Sequence, residues 1–147
     1  MPNMSNDMEN KLLDFLFRGQ PYTPPATVYV AMFTTTPTDE EPGEEPTAPS
    51  YARAPISCTL EDWSGTDSPD SQSAPSSGTS GTIFNISEIS FPDPQEDWGS
   101  VAYIGLFDAP TGGEYLFWSE LTAPRDFVVG DVNIRFRPAE MSIQIDN

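Results

Sequence analysis

The densest run of potentially reactive groups is Asp39, Glu40, Glu41, Glu44 and Glu45, inside residues 37–49 (PTDEEPGEEPTAP). Clustered carboxylate oxygens suit a hard cation such as calcium, yet the alternating Asp-x-Asp-x-Asp-Gly spacing of a calcium-binding loop is missing. Five carboxylates among four prolines, with no base, read instead as a solvated excursion that does not pack. A second chemistry to weigh is glycoside hydrolysis, which needs two carboxylates across the scissile bond and an apolar neighbour that raises the pKa of the acid. Glu114 and Glu120 near Trp118 are the candidates, and nothing in their spacing singles them out. The chain has no His and one Cys, Cys58. That removes Ser-His and Cys-His pairs, a disulfide framework and most zinc sites. A phosphate-cradling Gly loop and a nucleophile elbow are also missing. The sequence therefore predicts no catalytic residues, no metal and no cofactor, with Cys58 a small buried hydrophobe.

Charge narrows the partners. Six Lys and Arg against 23 Asp and Glu leave a formal charge of −17, which repels a phosphate backbone or an anionic bilayer. Neither nucleic acid nor membrane is expected as a partner. The longest apolar runs are shorter than a membrane span, and residues 1–10 lack a basic flank leading into an apolar region, so the chain reads as soluble and unexported. Against this acidic background Arg53, Arg125, Arg135 and Arg137 should each find a carboxylate; together they would also make a basic docking spot. Trp63, Trp98 and Trp118, with five tyrosines, are the material of a sugar-stacking platform, although core positions are the favoured reading.

Any such site must be positioned by the elements around it. The chain's 147 residues suit one domain with a real core. Asn6 followed by Glu9 has the form of a capping box, and Met8, Leu12, Phe15 and Leu16 then recur at helical spacing, widened by Leu13 and Phe17. Gly19 and the prolines at 21, 24 and 25 stop this helix, predicted over 7–18. From residue 26 the period changes to 2. Residues 27–35 (TVYVAMFTT) are apolar on both faces, the mark of a central strand. Further strands are predicted over 51–59, with Pro55 at an edge or bulge, over 82–91 as one bent or two short strands, and over 142–146. Residues 100–108 and 115–120 form a hairpin about Thr111-Gly112-Gly113, and 126–129 with 132–137 a second about Gly130-Asp131. Residues 1–25 are a helical arm with a Pro-rich spacer. Residues 26–147 are the body, with long loops at 36–50 and 64–81. The fold class is mainly β: an antiparallel β-sandwich or jelly-roll-like domain with one N-terminal amphipathic helix. No heptad seam or repeat that would build a fibre shaft is visible.

The arm is the suggestive element. Met8, Leu12, Phe15, Leu16 and Arg18 either fold back on the body or reach a neighbouring subunit across the stiff spacer.

Residues 9–34 (ENKLLDFLFRGQPYTPPATVYVAMFT) resemble a family of small tailed-bacteriophage virion proteins described as tail-fibre-like. The likeness continues through Ser50-Tyr51-Ala52-Arg53, Ile89-Ser90-Phe91-Pro92, Trp98-Gly99-Ser100-Val101, Ile104-Gly105-Leu106-Phe107-Asp108 and Leu116-Phe117-Trp118. The length and acidity of 37–49 and 64–81 set this chain apart. The resemblance implies a non-enzymatic component of the particle, made in the host cytoplasm. A compact acidic domain with an arm and no shaft suits a capsid decoration (cement) protein on the outer capsid surface. Its partners would be the major capsid protein or other virion proteins, with copies associating as a homo-oligomer on the particle. The alternative is a tail-fibre-like or tail-tip protein acting in host adsorption. A carbohydrate-binding module and an acidic DNA-mimic inhibitor are remoter readings.

Overall fold

In the computed structural model, which describes residues 3–72 and 75–145, the chain runs through ten elements. They are β1 (Asn3–Met4), α1 (Asn6–Phe17), β2 (Thr27–Phe33), β3 (Ala54–Ser57), β4 (Thr82–Phe84), β5 (Ile89–Ser90), β6 (Gly99–Phe107), β7 (Tyr115–Phe127), β8 (Arg135–Phe136) and β9 (Ser142–Gln144). Every strand pairing among the described residues is antiparallel. A five-stranded sheet has the order β1-β7-β6-β2-β3, and two ladders, β4-β9 and β5-β8, lie apart from it. The protein is mainly β with one helix near its N-terminus, as its periodicities predict.

The two-faced pattern of β2 decides the layering. Val28, Val30 and Met32 point to one side, where they pack with Ile56, Val101, Leu106 and Leu116 and with residues in and beside the small ladders, Ile89 of β5 and Met141 just before β9 among them. Ala31 and Phe33 point to the other side and join Phe107 and Tyr115 in a second cluster. With both faces apolar, β2 is stable only where both are covered. It accordingly sits between β6 and β3.

What covers the second face is residues 37–49, contrary to their reading as a solvated excursion. The backbone N–H of Thr34 donates to Glu44 O at 2.8 Å and that of Glu44 to Thr35 Oγ1 at 2.8 Å, while Tyr115 Oη donates to Thr38 O at 3.2 Å. Pro37 and Pro46 are buried, while Glu40, Glu41 and Glu44 face solvent. The physical reason is that proline has no N–H to satisfy. A Pro-rich segment can therefore lie against apolar surface without ladder partners and still turn its carboxylates outward. Composition averages the two faces and reports only the charge.

Close approach needs Gly43. A Cβ there would stand 2.5 Å from Thr35 O and 2.7 Å from Phe33 Cβ. From the sheet side, a Cβ on Gly105 would stand 2.5 Å from the Phe33 ring. Phe33, fully buried, is thus held between two glycines.

Two further expectations are corrected. The helix begins one residue earlier than predicted and is capped by Ser5 rather than by an Asn6–Glu9 box: Ser5 Oγ accepts from Met8 N at 3.2 Å. The same hydroxyl donates to Tyr115 O at 2.6 Å, a tie that local capping preference could not reveal. The second hairpin does not form. Residues 126 and 127 end β7 opposite Ser100 and Gly99, and β8 pairs with β5. The Gly130-Asp131 turn exists, with Asp131 N donating to Val128 O, but the strands it joins serve different ladders. The 82–91 stretch is two short strands divided by Asn85, whose buried amide donates to Ser87 O and Arg137 O and accepts from Met141 N. Asp146, the end of the last predicted strand, lies outside the described residues, as do Ser73 and Ala74 within the 64–81 loop.

The edge strand β3 carries a proline, and so does the stretch of β7 that β1 does not cover. Cys58 N donates to Ala26 O, so alternation turns Ile56 and Ala54 toward β2 and leaves Pro55 on the outer side, where a missing donor costs nothing. Pro124 lies on β7, whose register against β6 is shifted between Val101 and Tyr103. A bulged, proline-bearing edge is a poor template for a further strand.

Gly43→Ala should lower the free energy of unfolding by about 1–3 kcal/mol through overpacking against Phe33, read from the denaturant midpoint. A change indistinguishable from that of an exposed-loop substitution would show that the 37–49 segment is not seated on Phe33.

Candidate attachment surface

Four arginines were candidates for docking, and the structure gives them different surroundings. Arg53 is occupied internally. Its Nη2 lies 2.6 Å from Glu45 Oε1 and its Nε 3.1 and 3.2 Å from the two Glu45 oxygens, while Nη1 donates to Ala109 O and Gly112 O at 2.8 Å each. The guanidinium carbon stacks 3.6 Å from the Phe107 ring centroid, and the side chain is 7% exposed. Arg135 pairs with Glu88 at 3.2 Å. Arg125 stands 5.4 Å over the Phe127 ring. Among the described residues, neither Arg125 nor Arg137 has a carboxylate within ion-pair distance.

Glu45 also accepts from Tyr51 Oη at 2.7 Å, and that hydroxyl accepts from Met32 N at 2.9 Å. One chain of bonds therefore links β2, the 37–49 segment, the start of the β3 edge and the turn between β6 and β7. Burial, foremost, pushes the Tyr51 phenol well above its ordinary value; Glu45 adds to that shift and the Met32 N–H opposes it. Burial likewise raises Tyr115, with Asp39 adding to the effect.

The tryptophans divide. Trp63 and Trp98 are in the core, with Trp98 Nε1 donating to Ser50 Oγ at 3.0 Å. Trp118 is half-buried, meets Tyr103 edge-on at 6.4 Å and donates to Asp39 Oδ1 at 2.8 Å. Of the hydrolase candidates, Glu114 is paired with Lys11 and Glu120 is exposed. Among the described residues no group of three or more His, Cys, Asp or Glu could hold a metal ion. Cys58 is exposed rather than buried, because it lies one residue past the outer edge strand β3, and burial of part of its surface pushes its thiol pKa up. It lines a groove of about 510 Å³ together with Val28, Leu60, Trp63, Phe117 and Ile143.

Helix α1 is mounted firmly at one end and bare at the other. Ser5 is buried, its N–H donates to Leu116 O at 2.9 Å, and Asn6 N donates to Asp39 O at 2.8 Å. Met8 packs against the main core and accepts from Tyr22 Oη at 3.8 Å, and Lys11 pairs with Glu114. No residue of the helix is fully buried. Gly19, at φ 66°, takes the left-handed stop the sequence called for, and Gln20 N closes back on Asp14 O at 3.1 Å. Of the five proposed contact residues, Met8 and Leu12 are partly buried on the body side, whereas Phe15, Leu16 and Arg18 are exposed. Arg18 pairs with Asp14 at 3.1 Å within the helix. At about 3.6 residues per turn, Leu13, Leu16 and Phe17 form one stripe, with Leu13 and Phe17 opposite Met8 and Leu16 next to the body-facing Leu12. They are 54%, 58% and 78% exposed. In the sequence this outer stripe merges with the inner one, since the two are adjacent in spacing and only the body distinguishes them.

A β-rich body whose buried charge is spent on its own rigidity, carrying one helix with an apolar outer face, has the makings of an assembly protein. The family model described as Podophage GP4 fiber I protein gp80 matches residues 3–144, and the chain belongs to that family. It is a structural, virion-associated phage protein. No curated protein matches the chain. Among the described residues no helix is long and apolar enough to cross a membrane.

Arg53→Ala leaves the partly exposed Glu45 carboxylate and the Ala109 and Gly112 carbonyls without their donor, so it should destabilise the fold by about 1.5–3 kcal/mol, measured by chemical denaturation. Loss of under 1 kcal/mol would mean that the pair is dispensable. Because the folded-state pKa of Tyr51 is raised, its contribution is intact below the unfolded tyrosine value of about 10. As pH rises beyond that value it is lost at about 1.4 kcal/mol per pH unit. Unfolding midpoints measured between pH 8 and 11.5 should fall in the upper part of that range, and less steeply for Tyr51→Phe.

Proposed function

We propose that this protein is a non-catalytic attachment subunit of the phage particle, fixed to a larger virion protein through the outer face of α1. The observation that carries this reading is the combination in α1 of a rigid, doubly hydrogen-bonded root and an unpacked apolar stripe. Leaving Leu13, Leu16 and Phe17 in water forgoes hydrophobic stabilisation that a partner would restore. The body supplies stiffness, and repetition over many copies multiplies a modest contact into firm attachment.

Two positions on the particle fit this subunit. The family's description as a fibre protein favours a place among the tail appendages, where the subunit would act in host adsorption. The second reading is capsid decoration, favoured by the compact acidic body and the absence of any shaft-forming repeat in the sequence. There the subunit would bind the major capsid protein, link neighbouring capsomers by burying apolar area, and resist the pressure of packaged DNA. In either position several copies would share one particle, with solvent-facing carboxylates turned outward.

Immunogold labelling of intact particles separates the positions. Gold confined to the tail region supports the fibre reading, and gold spread evenly over the head supports decoration. A protein abundant in infected cells and missing from finished particles would end both.

A further inference from the structure

The outer face of α1 is apolar, but its surroundings are acidic. Asp7 and Glu9 occupy its exposed first turn, and Asp39 lies at its root, where its carbonyl receives the Asn6 N–H. Burial, foremost, raises the pKa of Tyr22 beside Met8; Lys11 opposes the shift, and Glu114 and Asp108 add to it. The two bases in this neighbourhood are neutralised, Lys11 by Glu114 and Arg18 by Asp14. Asp7, Glu9, Asp39 and Asp108 are left without a cation within ion-pair distance among the described residues. The stripe itself holds Leu13, Leu16 and Phe17, whereas Phe15, 51% exposed, lies on the Met8 side of the helix. With large apolar side chains spanning roughly 150–250 Å² each, the three stripe residues offer roughly 350 Å² of exposed apolar surface, somewhat under half of what one partner contributes to a standard interface.

We infer that the partner of α1 presents an apolar groove rimmed by Lys and Arg, into which Leu13, Leu16 and Phe17 insert as i, i+3, i+4 anchors. This rests on the attachment reading above and deepens it by naming the chemistry of the partner. Charge decides the occupant. A second copy would bring its own −17 against an acidic rim, whereas a basic rim is drawn to it and held in register by it. The apolar anchors supply affinity, and the acidic rim supplies orientation and on-rate.

The test uses the full-length chain and particles of the same phage assembled without it. Bound copies per particle are measured against chain concentration at several salt concentrations. Affinity should fall roughly tenfold or more between 50 and 500 mM salt as the rim is screened. Leu16→Ser and Phe17→Ser should each weaken binding about tenfold or more, with unchanged thermal midpoints because neither side chain is buried. With the photo-cross-linker p-benzoylphenylalanine introduced at Phe17, the captured peptide should belong to another virion protein and contain Lys or Arg beside apolar residues. Cross-linking to a second copy, for example at the groove lined by Leu60, Trp63 and Ile143, would overturn the proposal, as would binding that is indifferent to salt or tightens with it. Normal binding by Leu16→Ser and Phe17→Ser sinks the helix proposal and leaves the virion reading standing. If the wild-type chain is missing from mature particles by mass spectrometry, both fall.

Discussion

A guanidinium withdrawn almost wholly from water has to be answered by a carboxylate, and Arg53 is answered by Glu45. Much of the molecule's second face follows from that requirement. Glu45 can reach Arg53 only if the segment 37–49 folds across the sheet, and once there it brings Thr38 to Tyr115 and Gly43 to Phe33. Arg53 in turn holds the Ala109 and Gly112 carbonyls of the turn between β6 and β7 and stacks on Phe107. The pair is therefore a geometric constraint first. Buried ion pairs contribute little net stability compared with apolar replacements, but losing one partner is costly.

This arrangement explains how a chain of moderate hydrophobicity makes a two-sided sheet. One face of β2 is covered conventionally, by the short ladders and the residues that lead into them, Ile89, Met141 and Ile134 among them. The other is covered by an irregular segment in which prolines replace the hydrogen-bonded layer that a second sheet would supply. The usual sandwich principle, apolar faces opposed, holds on both sides, although only one side is closed by strands.

The same economy of contacts fixes the helix. Ser5 satisfies the helix N-terminus and a sheet carbonyl with one hydroxyl, so α1 leaves the body from a fixed point rather than a hinge. The proline on edge strand β3 and the bulged, proline-bearing stretch of β7 beyond β1 are poor templates for further strands.

Periodicity by itself determined the elements with strong local signals: the helix and its Gly19 stop, the two-faced central strand, the Gly112-Gly113 hairpin and the edge character of Pro55. Each of these is decided within a few residues, by backbone sterics or by alternation of apolar side chains. The family likeness was legible in the same way, in contiguous motifs. Only the tertiary structure decided that an acidic, Pro-rich run would be a layer of the fold, that Arg53 would be spent inside it, that residues 126 and 127 would extend β7 rather than open a hairpin, and that α1 would turn Leu13, Leu16 and Phe17 outward. Those outcomes depend on partners far away in the chain, Glu45 with the Ala109 and Gly112 carbonyls, Ser5 with Tyr115, Gly99 with Phe127. No local pattern encodes which distant surface will be there to receive a given face.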